Sequence, residues 1–454
     1  MELNFLDIVK SINGEVLVDS KNNNFNSLCI DTRKIEKDNI FLAINGENFN
    51  GNSYVKEAFE KGASIVIIDE ILFDIEELED KGTIIKVNNT SVALLSLANY
   101  YRKKLGIKVV GVTGSTGKTS TKDLIASFLS DKYKVFKTKG NFNNQIGLPL
   151  MILELDSSYD VAVLEMGMSD LGEIHTLAET AIPDIAVITN IGLSHIENLK
   201  TRENILKAKM EIIDFFNEDN ELILNGEDNN LKNINSKCFK ITKTGYNHEY
   251  EVYGTNIILK EEETEFEAHL NGRHHKFTLP MAGKHNVLNA MLAISVANKL
   301  GVTFESMEKG IANLEATSMR LQLIKKDKFI IINDCYNASP DSMKSSLDVL
   351  NTYKSGRRIA ILGTMNELGH EAFNAHKEVG EYASDKVDKL VVIGDYKDSF
   401  KEGFNGEEIE IYTTKEEFIS NVQTLVKEND ILLVKASRGM KFEDIVNSIK
   451  QISI

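Results

Sequence analysis

The chain has 454 residues, of which 42% are hydrophobic, and this length predicts about three domains, each with its own core. Its 68 acidic residues outnumber its 52 Lys and Arg residues, and the net charge of -16 argues against binding nucleic acid or an anionic membrane through overall charge. The three Cys residues lack CxxC spacing, no apolar run of about 18 residues occurs, and the N-terminus has no signal-peptide pattern, so we expect a cytoplasmic protein without disulfides, a cysteine zinc site or a membrane segment.

Residues 1–105 have the pattern of a small α/β domain. Short apolar runs at Ile40–Ile44 and Ile65–Ile68 predict buried strands, and the segment Tyr54–Glu60 between them has helical periodicity. This mixture of short strands and a helix is typical of an α/β fold.

The segment Val109–Ser120 is the most informative in the chain, because an apolar strand runs into a glycine-containing loop. Gly114 and Gly117 allow backbone N–H groups to close around phosphate oxygens, while Lys118 supplies a positive charge. The hydroxyl of Thr119 can bind Mg²⁺ at the N-terminus of the helix that follows. Because position 112 is valine, the loop has the shorter form Gly-x-x-Gly-Lys-Thr, and a glycine turn without a ligand is the alternative. The segment predicts an ATP and Mg²⁺ site made of Gly114, Ser115, Thr116, Gly117, Lys118, Thr119 and Ser120.

Further apolar runs at Tyr159–Leu164 and Asp184–Ile188 predict a parallel sheet around this loop. Glu165 directly follows the first run, at the edge where α/β sheets bind ligands, and we interpret it as an Mg²⁺ ligand. His195 follows the second run and can approach the same crevice; a loop histidine without a ligand is the alternative. Beyond them, alternating Thr, Val, Ile and charged residues in Tyr250–Leu279 predict an antiparallel appendage.

A single lysine interrupts an apolar helical stripe in the segment Thr201–Phe216. Treated as a helix, this segment places Lys207 on its solvated face. The opposite face is made of Ile205, Lys209, Ile212 and Phe216. Burial disfavours the charged form of a lysine, and a neutral amine can take up CO₂ to become a carbamate, in effect a long metal-binding carboxylate. The alternative is a lysine whose ammonium group reaches the edge of the stripe and stays in water.

The C-terminal third of the chain has a second doubly wound pattern. Apolar runs at Phe329, Ile359, Leu390 and Ile431 are separated by helical segments, as in a Rossmann-like sheet. The predicted fold class is therefore α/β with three domains: residues 1–105, a central P-loop-type parallel-sheet ATPase domain at residues 106–320, and a C-terminal Rossmann-like domain at residues 321–454.

Several of these motifs together resemble the ATP-dependent Mur ligases of peptidoglycan synthesis. In the central region the matching segments are Thr113–Thr119, Glu165–Met168, Asn190–His195 and Lys207–Lys209. Other similar segments are Gly283–Asn289, Arg320, Asp334–Pro340, Leu362–Gly369 and Lys435–Arg438. These resemble especially the branch of the family that adds D-alanyl-D-alanine to UDP-N-acetylmuramoyl-tripeptide.

The resemblance implies particular roles around the nucleotide. Lys118 and the loop amides are expected on the ATP phosphates, and Thr119 with Glu165 on one Mg²⁺. A second metal is expected near His195 and a carbamylated Lys209. The remaining implied nucleotide contacts are Asn289 at the adenine, Arg320 in the linker, and Asp334 from the third domain.

Substrate contacts are implied in all three domains. Thr32, Arg33, Asn45 and Gly46 are similar to the family's uridine-diphosphate site, with ordinary turns as the alternative. Asn143 and Asn144 belong to an asparagine-rich loop expected near the reacting carboxylate. The implied dipeptide pocket consists of Asn337, Glu367, Lys435 and Arg438. The expected partners are UDP-muramoyl-peptide and D-alanyl-D-alanine, with the chain acting as a monomer.

The implied reaction passes through an acyl phosphate, which an amine then attacks, and we expect a hinge near Arg320 to close the site. The chain departs from the family pattern at Met168–Asp170, which adds a negative charge after the metal carboxylate. It has no Asp-Asn-Pro-Arg box of ligases that select a diamino acid, and this absence favours the dipeptide-adding interpretation. The alternatives are a tripeptide-forming muramyl ligase, a folylpolyglutamate synthase, or a regulatory ATPase that does not ligate. The segment Asp334–Pro340 argues against the last of these.

Overall fold

The computed structural model describes residues 1–20, 23–315 and 317–452, and these form three α/β units, each built around its own large sheet. The predicted α/β fold class with three domains is therefore confirmed. Among the described residues, none of the helices combines the length and apolar character needed to cross a membrane.

The N-terminal unit contains a five-stranded sheet in the order β1-β7-β6-β3-β2, in which β1 is antiparallel to its neighbour, and a separate two-stranded ribbon of β4 and β5. Its strands are β1 (Glu15–Val18), β2 (Leu28–Cys29), β3 (Asn39–Leu42), β4 (Asn45–Gly46), β5 (Phe49–Asn50), β6 (Ala63–Ile68) and β7 (Thr83–Lys86). Its helices are α1 (Phe5–Ser11), α2 (Val55–Glu60) and α3 (Thr90–Leu105). The α3 helix ends at Gly106, whose φ of 66° gives the chain a left-handed turn before it enters the central unit.

The central unit is built on a nine-stranded sheet in the order β16-β15-β14-β13-β12-β11-β8-β10-β9. Its strands are β8 (Lys108–Thr113), β9 (Val135–Lys137), β10 (Val161–Glu165), β11 (Ile185–Ile188), β12 (Glu221–Asn225), β13 (Lys240–Gly245), β14 (Val252–Leu259), β15 (Thr264–Leu270) and β16 (Arg273–Leu279). Its helices are α4 (Lys118–Leu129), α5 (Gly147–Leu153), α6 (Glu173–Ala181), α7 (Ile196–Leu199), α8 (Arg202–Met210), α9 (Lys284–Lys299) and α10 (Phe304–Ile311).

The middle strands of this sheet are buried on both faces, which explains their continuous apolar sequence. Along β8, Val109 packs into one hydrophobic cluster and Val110 into another on the opposite side, because successive side chains of a strand point to opposite faces. Hydrophobic residues of α4 and α9 pack into the second cluster. Together, the two hydrophobic clusters fix the position of β8 and of the loop that follows it.

The C-terminal unit has a six-stranded sheet in the order β17-β18-β22-β19-β20-β21, parallel except for β17. Its strands are β17 (Gln322–Lys325), β18 (Ile330–Asn333), β19 (Arg358–Gly363), β20 (Lys389–Ile393), β21 (Ile409–Tyr412) and β22 (Ile431–Lys435). Its helices are α11 (Pro340–Leu350), α12 (Ala372–Ala383), α13 (Lys397–Gly403), α14 (Lys415–Leu425) and α15 (Glu443–Lys450).

Two predicted elements differ in extent from the structure. The helix expected over Thr201–Phe216 is α8, which ends at Met210 and continues as the 3-10 turn Glu211–Ile213. The predicted antiparallel appendage exists as β14, β15 and β16, but it extends the central sheet, because β14 pairs in parallel with β13.

Candidate active site

A cavity of about 1030 Å³ lies between the central sheet and the C-terminal unit. Its lining includes most of the residues that the sequence singles out: Ser115–Ser120, Asn143, Asn144, Glu165, His195, Asn289, Arg320, Asp334, Asn337, Glu367, Lys435 and Arg438. The parallel register explains the convergence on the central side. Glu165 pairs with Val112 and Ile188 with Thr113, so the loops after β10, β8 and β11 leave the sheet side by side.

Two glycines give the phosphate loop its shape. Gly114 has a φ of 148°, and a Cβ atom there would lie 1.8 Å from the Thr189 hydroxyl oxygen. Gly117 has a φ of 78° and immediately precedes α4, with no side-chain cap on the helix. The first N–H groups of α4 are therefore available to an anion.

Asn190 anchors the same loop from the neighbouring strand. The N–H of Ser115 donates to the Asn190 carbonyl at 3.0 Å, and the N–H of Thr116 donates to its side-chain oxygen at 3.0 Å. Lys118 Nζ donates back to the Gly114 carbonyl at 2.8 Å. Burial lowers the pKa of Lys118, an effect that Glu165 opposes and Arg320 reinforces.

The side chains expected to hold Mg²⁺ are in contact with each other. Thr119 Oγ1 donates to Glu165 Oε2 at 2.9 Å, and the Asn143 amide donates to Glu165 Oε1 at 2.9 Å. Glu165 is buried at the end of β10, and its N–H donates to Thr138 Oγ1. A buried carboxylate beside a hydroxyl is an oxygen donor set that suits Mg²⁺.

His195 and Glu367 join the central and C-terminal units. His195 Nδ1 lies 2.6 Å from Glu367 Oε2. Both residues adopt left-handed backbone conformations, with φ of 65° and 61°. The Glu197 N–H also donates to the Glu367 carbonyl at 3.0 Å. Contact with His195 is the main cause that lowers the pKa of Glu367.

Lys209 is buried on the face that the helical spacing predicts, with 1% of its surface exposed, whereas Lys207 is exposed. No hydrogen bond or ion pair joins Lys209 Nζ to another residue in the described part of the chain. Burial holds the pKa of Lys209 well below its usual range, and the charge of Lys118 lowers it further. Lys209 itself is not among the residues that line the cavity.

On the C-terminal side, Asp334 is held by three donors. Its Oδ2 accepts from Lys435 Nζ at 2.5 Å and from Ser346 Oγ at 2.6 Å, and its Oδ1 accepts from the Leu321 N–H at 3.1 Å. Lys435 also donates to the Asn337 carbonyl at 3.0 Å. Asp334 and Lys435, which the resemblance assigns to different ligands, are therefore partners of each other.

Arg320 and Asn289 both line the cavity. The guanidinium of Arg320 stacks 4.1 Å above the Tyr336 ring, and its buried Nε has no hydrogen-bond partner among the described residues. Asn289 Oδ1 lies beside Gly117, where it would be 2.8 Å from an added Cβ. Asn289 therefore lies beside the phosphate loop, and Arg320 offers a donor at the cavity that is unpaired within the described residues.

Among the lining residues that have no role in the sequence analysis are Tyr336 and His285. His285 lies within the motif Gly283–Asn289, and burial lowers its pKa to about 4. The motif includes His285, but the order of residues in it does not distinguish His285 from the neighbouring residues that have a structural role.

The residues predicted for uridine diphosphate are not brought to this cavity. Arg33 is 84% exposed and pairs with Asp31 at 2.8 Å, and the neighbouring Thr32 is buried. Asn45, next to Gly46, accepts from the Gly51 N–H at 3.1 Å. These contacts are local turns of the N-terminal unit, and their role in binding stays a prediction. Arg438 lines the cavity and pairs with Glu443 at 2.8 Å.

Comparison with known proteins gives one consistent family. Three family profiles match the chain: "Mur ligase family, catalytic domain" at residues 24–102, "Mur ligase middle domain" at 112–297, and "Mur ligase, glutamate ligase domain" at 319–438. The UDP-N-acetylmuramoyl-tripeptide--D-alanyl-D-alanine ligase of Bacillus subtilis is 42% identical over 92% of this chain and 92% of its own length. The enzyme of the same name from Escherichia coli is 31% identical over 93% of each chain.

Solved structures agree. MurF from Acinetobacter baumannii superimposes with a TM-score of 0.88 at 27% identity, over 99% of both chains. MurF ligase from Thermotoga maritima, in complex with ADP, superimposes with a TM-score of 0.83 at 28% identity, over 94% of this chain and 97% of that one. Fold and site define a nucleotide-binding α/β protein of three units. The chain belongs to the Mur ligase family.

Proposed function

We propose that this chain is an ATP-dependent ligase that joins D-alanyl-D-alanine to UDP-N-acetylmuramoyl-tripeptide and gives the UDP-N-acetylmuramoyl-pentapeptide of peptidoglycan synthesis. One observation carries the proposal: a single cavity connects the phosphate loop with charged and amide side chains of the C-terminal unit. The relatives from Bacillus subtilis and Escherichia coli, both named as the ligase for this substrate pair, are 42% and 31% identical to this chain and support the proposal.

The reaction has two steps. A carboxylate oxygen of the tripeptide attacks the γ-phosphorus of ATP, the bond to the β–γ bridging oxygen breaks, and ADP leaves an acyl phosphate behind. The free amine of D-alanyl-D-alanine then attacks the acyl carbon, and the tetrahedral intermediate collapses with release of phosphate and loss of a proton from nitrogen. Lys118 and the first N–H groups of α4 balance the charge of the phosphoryl oxygens.

Thr119 and Glu165 would hold Mg²⁺ at this site, since their oxygens already face each other. Bound there, Mg²⁺ supplies charge neutralisation for the phosphates. The contact of Asn143 with Glu165 orients the carboxylate and places the asparagine-rich loop beside it.

Lys209 is proposed to work as a carbamate. Its neutral Nζ attacks the carbon of CO₂ and loses one proton, which leaves an anionic N–CO₂⁻ group. Lys118, whose charge disfavours the ammonium form of Lys209, would attract this anionic group, and the carbamate would supply a negative ligand for a second metal near His195. The burial of Lys209 supports the proposal, because burial favours the neutral, nucleophilic form of the amine.

We assign the remaining roles by domain. Residues 1–105 bind the uridine-diphosphate part through Thr32, Arg33, Asn45 and Gly46, residues 106–320 bind ATP, and residues 321–454 supply the dipeptide pocket. Asn144 faces the tripeptide carboxylate, and the pocket for D-alanyl-D-alanine is made of Asn337, Glu367, Lys435 and Arg438. We further propose that the chain works as a monomer in the cytoplasm.

The test measures phosphate release from ATP and Mg²⁺ in the presence of UDP-N-acetylmuramoyl-tripeptide, with mass spectrometry of the product. Release and a pentapeptide product that depend on D-alanyl-D-alanine support the proposal. Release with a single amino acid as acceptor would identify a tripeptide-forming or folylpolyglutamate-type ligase. Release without an acceptor would identify a regulatory ATPase. A Lys118→Ala variant serves as the inactive control in every arm.

A further inference from the structure

A cluster of one carboxylate and two imidazoles lies on the outward face of the antiparallel part of the central sheet. Glu267 and His269 are two residues apart on β15 and so share a face, and His274 on β16 lies directly opposite His269. One ligand atom of each of these three residues lies within 4.8 Å of the other two. We call Glu267, His269 and His274 the hairpin cluster.

The turn between β15 and β16 fixes this arrangement. Asn271 and Gly272 both have positive φ, at 50° and 75°, and they form the two-residue connection between Leu270 and Arg273. An Asn-Gly pair of this kind matches the twist of a hairpin and sets its register. A shift of the register by one residue would move the cluster's side chains to opposite faces of the sheet.

The ring of His269 is held in place from the third strand. Tyr253 on β14 lies opposite His269 and stacks on its imidazole, with the ring centroids 4.5 Å apart and the planes 1° from parallel. The Thr255 hydroxyl lies 2.8 Å from His269 Nε2, and Glu267 Oε1 lies 3.3 Å from the same nitrogen. His269 Nε2 therefore faces the carboxylate, as a ligand atom of a shared site would.

The charges nearby leave the carboxylate of Glu267 available. Lys276 lies opposite Glu267 in the register, but its Nζ pairs with Glu265 Oε2 at 2.6 Å. Lys260 also pairs with Glu265, at 2.5 Å. Within the described residues, Glu267 has an ion-pair contact with His269 alone, and the Asn256 amide donates to its second oxygen at 3.1 Å.

We propose that the hairpin cluster binds a divalent transition ion of the Zn²⁺ class, through two imidazoles and one carboxylate, with the remaining position open to water. This donor set suits Zn²⁺ and its neighbours in the first transition row, whereas Mg²⁺ prefers oxygen ligands alone. The site is separate from the cavity, because the turn Glu261–Glu263 that lines the cavity lies at the other end of β15, about 20 Å away along the strand. The ion would link β15 to β16 at the edge of the central sheet.

The experiment uses Co²⁺ as a spectroscopic probe, added to the metal-free full chain in buffer that contains excess Mg²⁺. We expect one equivalent of Co²⁺ to bind with visible absorption bands, and Zn²⁺ to displace it. His274→Gln should weaken Co²⁺ binding by about tenfold or more. Because His274 is exposed, this variant should fold normally, which circular dichroism checks.

His275→Gln is the matched control. His275 is the adjacent histidine, but it faces the other side of the sheet, where its Nε2 lies 3.0 Å from Glu308. The Co²⁺ affinity of the His275→Gln variant should stay within about twofold of the affinity of the unmodified chain. Absence of Co²⁺ binding, equal binding in the unmodified chain and in His274→Gln, or equal loss in both variants would overturn the proposal. The readout does not involve ligase activity, so it is independent of the proposed function.

Discussion

At the scale of single residues, Lys209 combines two properties that rarely occur together in a folded chain. Its side chain is buried and makes no hydrogen bond to any described residue, and the charge that acts on its pKa is that of another cation, Lys118. Both features favour the neutral amine, because burial and like charge penalise the ammonium form. A neutral amine at this position is explained if it reacts with CO₂ as a nucleophile. Turnover and stability of Lys209 variants distinguish this use from a structural role.

The two lysines of α8 should differ in their effect on turnover. Lys209→Ala should lower turnover by on the order of 100-fold, since a metal-binding group is lost, and a short carboxylic acid added to the assay should partly restore it. Lys207→Ala should change turnover by less than about twofold, because Lys207 is exposed on the opposite face. Phosphate release measures both variants. Equal damage at the two positions would contradict the assignment of the helical faces.

The buried amine of Lys209 should also lower the stability of the folded chain. Lys209→Met should raise the free energy of unfolding at pH 7 by about 1 to 3 kcal/mol in bicarbonate-free buffer, because it removes an amine from a buried position that disfavours its charged form. The pKa of Lys209 is lowered in the folded chain, so below the pKa of the unfolded chain, about 10.4, the unfolded state binds the additional proton. Proton binding therefore favours unfolding, and the advantage of Lys209→Met should shrink as the pH rises towards that value. Urea denaturation of both proteins at several pH values checks this, with Lys207→Met as the control. A variant less stable than the unmodified chain at pH 7 would argue for a structural role of the ammonium group.

At the scale of elements, the site depends on how the loop after β8 packs against the loop after β11. The positive φ of Gly114 and its approach to Thr189 leave no room for a side chain, whereas Gly106, also with positive φ, has nothing within 4 Å of an added Cβ. The same substitution at these two glycines therefore separates backbone strain from the close approach that shapes the phosphate loop.

Gly114→Ala should weaken ADP binding by about tenfold or more, since the loop must move away from Thr189. Gly106→Ala should cost only about 1 kcal/mol of stability for its left-handed backbone and leave ADP affinity unchanged. Calorimetric ADP titrations and melting temperatures distinguish the two effects. If both variants bound ADP like the unmodified chain, the loop would not be the phosphate site.

Much of the element structure follows from the sequence, for local reasons. Apolar strands buried on both faces, the glycine loop before α4 and the helical face of Lys209 each depend on a short period or a short motif. The end of α8 at Met210 was not predictable, because the residues that follow remain compatible with a helix and Ile212 stays buried in the 3-10 turn. Similarly, the alternation of apolar and charged residues predicts the strands of Tyr250–Leu279. It does not predict that β14 pairs with β13, since this pairing depends on the tertiary fold.

The sequence was least informative where two units meet. Glu165 and Thr119 could be placed together, because the carboxyl ends of neighbouring parallel strands share one edge. The contact of His195 with Glu367 could not be predicted from the sequence, because it depends on how the C-terminal unit lies against the central one. The pairing of Asp334 with Lys435 joins two motifs that the sequence treats separately, and only the adjacency of β18 and β22 brings them together.

At the scale of the whole molecule, the linker around Arg320 has the features of a hinge. The Thr317 hydroxyl donates to Asp123 on α4 at 2.8 Å and so belongs to the central unit. Leu321, by contrast, donates to Asp334 and belongs to the C-terminal unit. Between these attachments, Met319 and Leu321 have φ of 58° and 48°, which costs energy for residues other than glycine. A change in these few dihedral angles can rotate the C-terminal unit while both attachments remain.

An acyl phosphate hydrolyses in water, so the proposed reaction requires a site that opens to load substrates and closes for the chemistry. We therefore expect small-angle scattering of the chain to change when a non-hydrolysable ATP analogue and the UDP-muramoyl-tripeptide are added together, with a smaller radius of gyration in the complex. We expect rotation about residues 317–321 to bring the Asp334–Lys435 pair towards the phosphate loop. The contact of His195 with Glu367 would have to rearrange before His195 could bind a metal. Superimposable curves with and without ligands would contradict the hinge, because both attachments would then hold one fixed arrangement throughout the reaction.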